Sequence, residues 1–498
     1  GNQVKGEAMN RREFLKGTAW MGALALGAGC VTREAGGLPG PMQGFAAAPI
    51  PRVRVGVVGI GSRGFPAVRR LASIPGVEVV ALCDLHDVRV KLAQKTLKDK
   101  GRPSAREYVG PEAYKAMCES DLDVVYNATD WKMHAPIALY AMEHGKHALV
   151  EVPSALNLDE CWALVETAER TRRHCMQLEN CCYGEAEMFA LNLCRQGVLG
   201  ELVHGEGAYI HDLRWLNYMD TDLMMKDGVT GYNDFWRLRY NAEHRGNQYE
   251  THGLGPVCQC MNINRGDRFE YLTSLENDPR AFEHYGASLF PGDKWKSTLR
   301  IRMADMNSTL VRTANGNSIL VQHDIASPRP YARLNLVSGM NGIFTGIKFA
   351  DTAEEAFKMG DPCRFAWCEK KCDRILEYFD FRRTEEIRRE YRHPLWKAAG
   401  ELAKKVGGHG GMDFIMDLRW AYCLQNGLPL DTDVYDLATT SCLCELTEKS
   451  VRNRSRTYDV PDFTRGGWKT AKPLGIIDVD VAKLDFSNIK AGEKPMTL

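Results

Sequence analysis

The feature that most restricts this chain is the passage from a β-branched run, Val53-Arg-Val-Gly-Val-Val58, into Gly59-Ile-Gly61-Ser-Arg-Gly64 and on into a helix-compatible segment, Ala67 to Ala72. Strand, glycine turn and helix in that order build a cradle for a pyrophosphate. Gly59 permits the tight turn, Gly61 lets backbone approach phosphate, and Gly64 lets helix and strand pack closely. The helix start then presents free N–H groups to negative charge. A second apolar strand, Val77 to Cys83, ends in Asp84, about 20 residues past the turn, where a carboxylate accepts hydrogen bonds from ribose hydroxyls. The same carboxylate repels a 2′-phosphate, so NAD is the expected cofactor.

The pattern continues. Asp123-Val-Val-Tyr-Asn-Ala-Thr129 reads as a third strand running into Asp130-Trp-Lys-Met-His134, followed by an amphipathic segment, Ala135 to Glu143, and then Gly145-Lys-His-Ala-Leu-Val-Glu-Val-Pro153. Alternating β and α units with short turns predict a parallel, doubly wound Rossmann sheet. The whole chain is therefore expected to be α/β, with the nicotinamide end of the cofactor reaching His134 past a strand end.

With 498 residues, the chain has room for two domains. Lys+Arg and Asp+Glu both number 64, and no Lys/Arg-rich block stands out, which excludes nucleic acid as a partner. The sixteen cysteines form no recognisable framework. Cys181-Cys182, Cys258-x-Cys260 and Cys442-x-Cys444 are too close for ordinary disulfides within each pair, and no paired C-x-x-C unit suggests zinc. Most read as small buried apolar residues; Cys363, Cys368 and Cys372 are the densest cluster and leave a metal or disulfide open. No metal is expected.

Residues 1–48 read as signal and linker. Met9-Asn-Arg-Arg-Glu-Phe-Leu-Lys16 precedes an apolar stretch, Gly17 to Gly29, too short to span a bilayer, which needs about 20 residues, but suited to a signal core. The arrangement resembles a twin-arginine export signal. Gly27-Ala-Gly-Cys30 is similar to a lipobox, which would anchor the mature chain through a lipidated Cys30; cleavage after Ala46-Ala47-Ala48 is the competing outcome. The expected location is the periplasm or the membrane face as a lipoprotein. Twin-arginine substrates cross the membrane folded and cofactor-loaded, so an exported NAD protein is expected to hold its cofactor through many turnovers.

Residues 53–153 resemble the N-terminal half of the glucose-fructose oxidoreductase superfamily. There the last strand usually ends Glu-Lys-Pro, the lysine helping move a proton at the substrate hydroxyl. Here it ends Glu151-Val152-Pro153, and Val152 moves no proton. Further on, Tyr249-Glu-Thr-His-Gly-Leu-Gly-Pro256 is similar to a motif of glycoside hydrolase family 109, the NAD-dependent α-N-acetylgalactosaminidases, whose usual form is Tyr-Pro-Thr-His-Gly-Leu-Gly-Pro. Glu250 is the departure. Trp131-x-x-His134, Glu151-Val152, Trp236-Arg237, Ser327-Pro-Arg-Pro-Tyr331, His409-Gly-Gly-Met-Asp413 and Asn426-Gly-Leu-Pro-Leu430 also match, in order, across roughly residues 50–450.

Carried over by position, the resemblance implies NAD contacts from Ser62, Arg63, Asp84, Trp131, Lys132, Met133, His134, Glu151, Val152 and Asn180, beside Gly59, Gly61 and Gly64. It implies sugar contacts from Tyr209, Arg237, Tyr249, Glu250, Thr251, His252 and Tyr331. It also implies a reaction outside the usual two-carboxylate glycosidase scheme. C3 of the sugar is oxidised by hydride loss to NAD, C2 is deprotonated, the aglycone leaves from C1, water adds, and the hydride returns with no net redox. His252 suits the base, with Tyr249, three residues before it and one helical turn away, and Tyr209 as phenol partners. Arg237 offers a planar fork for hydroxyls or an acetamido carbonyl. His409-Gly-Gly lacks metal-ligand spacing and receives no catalytic role.

Residues 49–180 are thus expected to form the NAD-binding domain and 181–450 a substrate-binding α+β domain. Runs such as Ser318 to Asp324 and Tyr331 to Val337 read as antiparallel strands of an open sheet; the charged segments 353–405 read as helical, and 451–498 as a surface wrap. A homo-oligomer acting on a glycan or glycoside is expected. The alternatives are a dehydrogenase releasing an oxidised sugar and a non-catalytic sugar or NAD sensor. Val152 weighs against the first, the export signal and neutral charge against the second.

Overall fold

β1 (Val53–Val58) is buried along almost its whole length, as its β-branched sequence requires of a central parallel strand. It pairs in parallel on one side with β2 (Val77–Asp84) and on the other with β4 (Val124–Asn127). With β3 (Arg106–Val109), β5 (His147–Val150) and β6 (Cys175–Gln177), these form a six-stranded parallel sheet in the order β3-β2-β1-β4-β5-β6. Helix α1 (Gly64–Leu71) starts at the glycine turn. The expected doubly wound Rossmann sheet is present. The computed structural model describes residues 40–221, 231–350, 352–358, 361–368 and 381–487. The signal motif, Cys30, Cys372 and the end of the tail lie outside the described residues.

The second sheet has eight strands. β7 (Leu202–Ile210), β8 (Phe269–Glu276), β9 (Asn307–Thr313), β10 (Ser318–Asp324), β11 (Leu336–Gly339), β12 (Gly342–Thr345), β13 (Arg364–Trp367) and β14 (Tyr458–Asp459) run in the order β13-β12-β11-β7-β10-β9-β8-β14. The sheet is mostly antiparallel, with one parallel pairing, β10 beside β7. The run from Tyr331 joins this sheet later than its alternation predicts. Leu334 and Asn335 adopt left-handed backbone, φ 59° and 44°, so the regular ladder starts at Leu336; before it the chain meets β7 through an isolated bridge, Ala332 to Ile210, and a bond from the Ala208 N–H to the Arg333 carbonyl.

Helix α2 (Glu185–Arg195) follows the turn after β6; α3 (Trp236–Glu243) and α4 (Thr251–Cys260) lie between β7 and β8. In the charged region, residues 353–358, 381–391 and α5 (Pro394–Val406) are helical, but β13 interrupts them. α6 (Met412–Asn426) and α7 (Val434–Arg452) complete the chain's core.

One feature of the packing is not visible in the order of motifs. α6 and α5 return to the N-terminal sheet: Phe414, Ile415, Leu418, Trp420 and Trp396 share a single buried cluster with Val55, Val57, Val68 and Leu71. Polar bonds reinforce the return. Arg70 donates to Asp417 at 2.7 Å, Gln425 to the Pro75 carbonyl at 2.8 Å, and the Ile50 N–H to the Leu424 carbonyl at 2.9 Å. The tail joins as well, with Ile477 and Val479 in the same cluster. Most of the fourteen described cysteines are buried.

Candidate active site

A cavity of about 1080 Å³ opens between the carboxyl ends of the first sheet and the face of the second, the place where open α/β sheets bind ligands. It exceeds the ~300–1,000 Å³ of an ordinary small-molecule pocket, leaving room for a dinucleotide and a sugar together. One end is the glycine turn. Gly59 has φ +81°, and a Cβ there would sit 2.6 Å from the Ala128 carbonyl, so only glycine fits. A Cβ on Gly61 would meet nothing nearer than 3.6 Å, so that turn is open toward the cavity. Gly64 packs its α-carbon under the Gly59 carbonyl and stays off the cavity wall. The start of α1 has no side-chain cap and no acid in its first turn, which leaves it electropositive.

Asp84 ends β2 on the cavity wall and accepts the Ile60 N–H at 2.6 Å and the His86 N–H at 2.9 Å. Ser62, Arg63, Trp131, Met133, His134, Glu151, Val152 and Asn180 also line the cavity; Lys132 is exposed and does not. Arg63 spans the two halves: its guanidinium reaches Glu151 at 3.0 Å and Asp413 at 3.3 Å, while Asn180 donates to the same Asp413 at 2.6 Å. His409 lies beside them, 3.0 Å from Asp413. His134 turns both ring nitrogens to backbone, Nδ1 at 2.7 Å from the Pro153 carbonyl and Nε2 at 3.0 Å from that of Thr129, so it shapes the wall and presents no free nitrogen.

Glycines bring the other end together. A Cβ on Gly253 would lie 2.0 Å from the Ala208 nitrogen, and one on Gly207 2.3 Å from the Gly253 carbonyl; α4 therefore sits directly on β7, backbone against backbone. Two residues on, Gly255 leaves space for Glu179, whose Cγ would be 2.9 Å from an added Cβ. His252 on α4, Tyr209 on β7 and Glu179 after β6 converge for that reason. The His252 Nδ1 lies 2.8 and 3.0 Å from the two Glu179 oxygens, and its Nε2 lies 3.2 Å from the Tyr249 hydroxyl. A carboxylate only accepts, so Nδ1 carries the proton and Nε2 is the basic nitrogen of the neutral ring. Burial alone would raise the Glu179 carboxyl, but the His252 imidazole and the Cys181 N–H hold it below its ordinary value, as an anion. Cys181 completes with Glu179 and His252 a group whose metal-capable atoms all lie within 4.8 Å of one another; burial pushes its thiol well up, and a protonated thiol is a poor ligand.

Tyr209 packs against both Tyr249 and His252, with ring centroids 4.8 and 5.2 Å apart. Arg237 lies over the rings of Tyr249 at 4.7 Å and Trp131 at 4.9 Å. It donates to the Tyr232 hydroxyl at 2.7 Å, while its Nε and Nη2 are buried without a partner among the described residues. A buried cation with unsatisfied donors on a cavity wall calls for an acceptor from a ligand. Tyr331 stands across from these rings, beside His211.

Two expected sugar contacts are placed elsewhere. Glu250 and Thr251 are fully buried and off the cavity wall. Tyr249 precedes α4 and His252 is its second residue; their side chains meet at the cavity while the two residues between them are buried away from it. Glu250 instead accepts the Cys444 thiol proton at 3.4 Å and leaves its other oxygen unpartnered; burial pushes its carboxyl up to about 8. Three residues that motif reading missed, Glu179, Glu187 and Arg333, are integral to the site's polar framework.

Residues 53–178 match the family described as "Oxidoreductase family, NAD-binding Rossmann fold", and residues 183–470 match "Glycosyl hydrolase 109, C-terminal domain". An "Alpha-N-acetylgalactosaminidase" of Bacteroides fragilis is 43% identical over 427 residues, spanning 86% of this chain and 95% of that protein. A "Glycosyl hydrolase family 109 protein" of Shewanella pealeana is 42% identical over 481 residues, spanning 94% and 99%. Among solved structures, levoglucosan dehydrogenase with NADH and L-sorbose superposes with a TM-score of 0.58 at 17% identity, over 83% of this chain and all of that one. An oxidoreductase domain protein from Kribbella flavida gives 0.59 at 16%, over 83% and 100%; likeness at this identity speaks for the fold. With its NAD-binding Rossmann half and its matching substrate half, this chain belongs to glycosyl hydrolase family 109 and is a glycoside hydrolase.

Proposed function

We propose that the protein releases terminal α-linked N-acetylgalactosamine from glycans by a cycle in which C3 is transiently oxidised and restored, with NAD retained and no net redox change. The observation that carries this reading is the Glu179–His252–Tyr249 chain, whose His252 and Tyr249 line one cavity with an intact dinucleotide turn. The open face of Gly61, the uncapped start of α1 and Asp84 fit the cofactor, with Ser62, Arg63, Trp131, Glu151 and Asn180 as further holding residues. When bound, NAD supplies reversible hydride exchange at C3.

The chain's own residues handle the protons. His252 takes protons at Nε2, alongside the Tyr249 hydroxyl, and Glu179 stabilises the imidazolium that results. The free donors of Arg237 accept the charge that builds on a sugar oxygen or bind the acetamido carbonyl. Val152 is buried on the cavity wall, in the place the superfamily gives to lysine, so nothing ionisable there serves an ordinary dehydrogenase. The twin-arginine motif supports export with the cofactor already loaded, and we extend the proposal to that route, to a lipid anchor at Cys30 and to a homo-oligomer.

The test is incubation of the purified protein with an aryl α-N-acetylgalactosaminide in deuterated water without added NAD. Expected are cleavage, deuterium at C2 of the sugar and no NADH release. NADH formed in step with turnover refutes the cycle in favour of a dehydrogenase, and tight sugar binding without turnover on any glycoside favours a sensor. Fractionation of cells producing the full chain tests export.

A further inference from the structure

Two phenols face the cavity with opposite hydrogen-bond polarity. Tyr249 has a basic partner, the Nε2 of His252, so its hydroxyl hydrogen is directed to the imidazole and its oxygen lone pairs are left for the cavity. Tyr331 has a cationic partner: the Arg333 Nη1 donates to its oxygen at 2.9 Å. An arginine has no acceptor to offer, so the Tyr331 hydrogen points elsewhere, and among the described residues no side chain or carbonyl takes it.

The cation is fixed by design of the surrounding elements. Arg333 is buried; its Nε donates to Glu187 on α2 at 3.1 Å and its Nη2 to the same oxygen. Its backbone is pinned at both groups, the N–H to Asp361 at 3.1 Å and the carbonyl accepting from the Ala208 N–H at 2.7 Å. These four constraints hold the guanidinium edge on the phenol, whose ring lies 6.3 Å from Tyr209. Burial raises the Tyr331 hydroxyl, to about 12, while Arg333 pulls the other way.

We propose that Tyr331 is the proton donor to the departing glycosidic oxygen, and that Arg333, held by Glu187, is the positioning cation that aims it and stabilises its phenolate. The proposal rests on the elimination route described above. As C1–O breaks, its electron pair goes to the departing oxygen, which takes the Tyr331 proton. The C2 proton goes to the His252–Tyr249 pair, and its electrons close the C1–C2 double bond. In the hydration that follows, the Tyr331 phenolate removes a proton from water as its oxygen bonds C1, C2 is reprotonated, and both groups return to their starting states.

The experiment compares wild type and Tyr331→Phe on a 4-nitrophenyl and a methyl α-N-acetylgalactosaminide in deuterated water. Nitrophenolate leaves without a proton and an alkoxide does not, so kcat/KM is expected to fall less than about 10-fold for the first and about 10²–10⁴-fold for the second. Unreacted methyl glycoside recovered from the variant is expected to carry deuterium at C2, because proton removal no longer commits to cleavage. Arg333→Gln, which keeps the phenol, is expected to show the same leaving-group bias in smaller degree and carries the test if the Phe variant does not fold. An equal loss on both substrates, or loss of C2 exchange along with cleavage, overturns the role of Tyr331. A wild type that neither cleaves nor exchanges either glycoside overturns the elimination reading itself, and this proposal with it.

Discussion

Replacing Glu250 by glutamine is expected to stabilise the protein in alkaline solution and not in acid. The structure supplies both the sign and the size. Glu250 is completely buried and its carboxyl is pushed from an ordinary 4.5 to about 8 by that burial. Between those values the folded chain keeps a proton that the unfolded chain releases, so the unfolded state binds fewer protons and stability falls as pH rises. At about 1.36 kcal/mol per unit, the full penalty above pH 8 is ~5 kcal/mol as an upper figure, and near pH 6 it is ~2 kcal/mol. Glutamine does not titrate, but its amide leaves an extra buried donor without a partner, at a cost of ~1–3 kcal/mol. Glu250→Gln is therefore expected to be level with or below wild type at pH 5, to cross it near pH 6, and to exceed it by ~2–4 kcal/mol at pH 8. Urea midpoints for both proteins at pH 5, 6, 7 and 8, with bound dinucleotide checked in each sample, give the comparison. Parallel pH dependences, or a wild type still ahead at pH 8, would refute the assignment of a neutral buried acid beneath the α4 helix.

Glu179→Gln removes the charge that holds His252, at 2.8 Å and buried; a hydrogen bond to a charged group contributes ~1.5–3 kcal/mol, so turnover should fall about 10- to 150-fold while bound NAD, read by absorbance, is unchanged. Because the Glu179 carboxyl is held below its ordinary value, its charge is lost only as pH falls through that depressed value, and the fold-loss caused by Glu179→Gln should be the same in neutral and mildly acidic buffer. Gly253→Ala places a methyl 2.0 Å from the Ala208 nitrogen; α4 must lift from β7, and a loss of ~1–3 kcal/mol with near-complete loss of cleavage is expected in denaturation and activity assays. Asp84→Ser removes the ribose-facing charge and should lower the NAD content of purified protein while raising NADP binding relative to NAD, measured by calorimetry.

The Rossmann half was legible because its signals are local: β-branched runs, glycines at fixed offsets and an acid at a strand end all lie within one βαβ unit. Tyr249 and His252 were legible for the same reason, three residues apart in one short motif at the start of α4. Glu179 was not. It precedes Asn180, which the family pattern marks, but its meeting with His252 depends on Gly255 clearing space across two elements 73 positions apart in the chain, a distance no periodicity encodes. Arg333 lies two residues past Tyr331 on what reads as a strand, and alternation would place both on one face; that much was available, yet its tie to Glu187 spans 146 positions. Glu250 shows the opposite error. Proximity within a motif suggested a ligand contact, but at the N-cap of α4 the side chain turns into the interior, toward Cys444.

The closing of α5 and α6 over the first sheet also orders events during synthesis. A ribosome that has released residues 49–180 has made every strand of the cofactor fold, yet the apolar surface of Val55, Val68 and Leu71 waits for Phe414, Ile415 and Trp420, and Arg63 and Arg70 wait for Asp413. The nucleotide half is thus not an excisable module: a fragment ending near residue 180 exposes an uncovered greasy face and leaves the Arg70 guanidinium without its carboxylates. Dinucleotide capture then waits on completion of nearly the whole polypeptide, because the residues that close the cofactor fold come last in the chain.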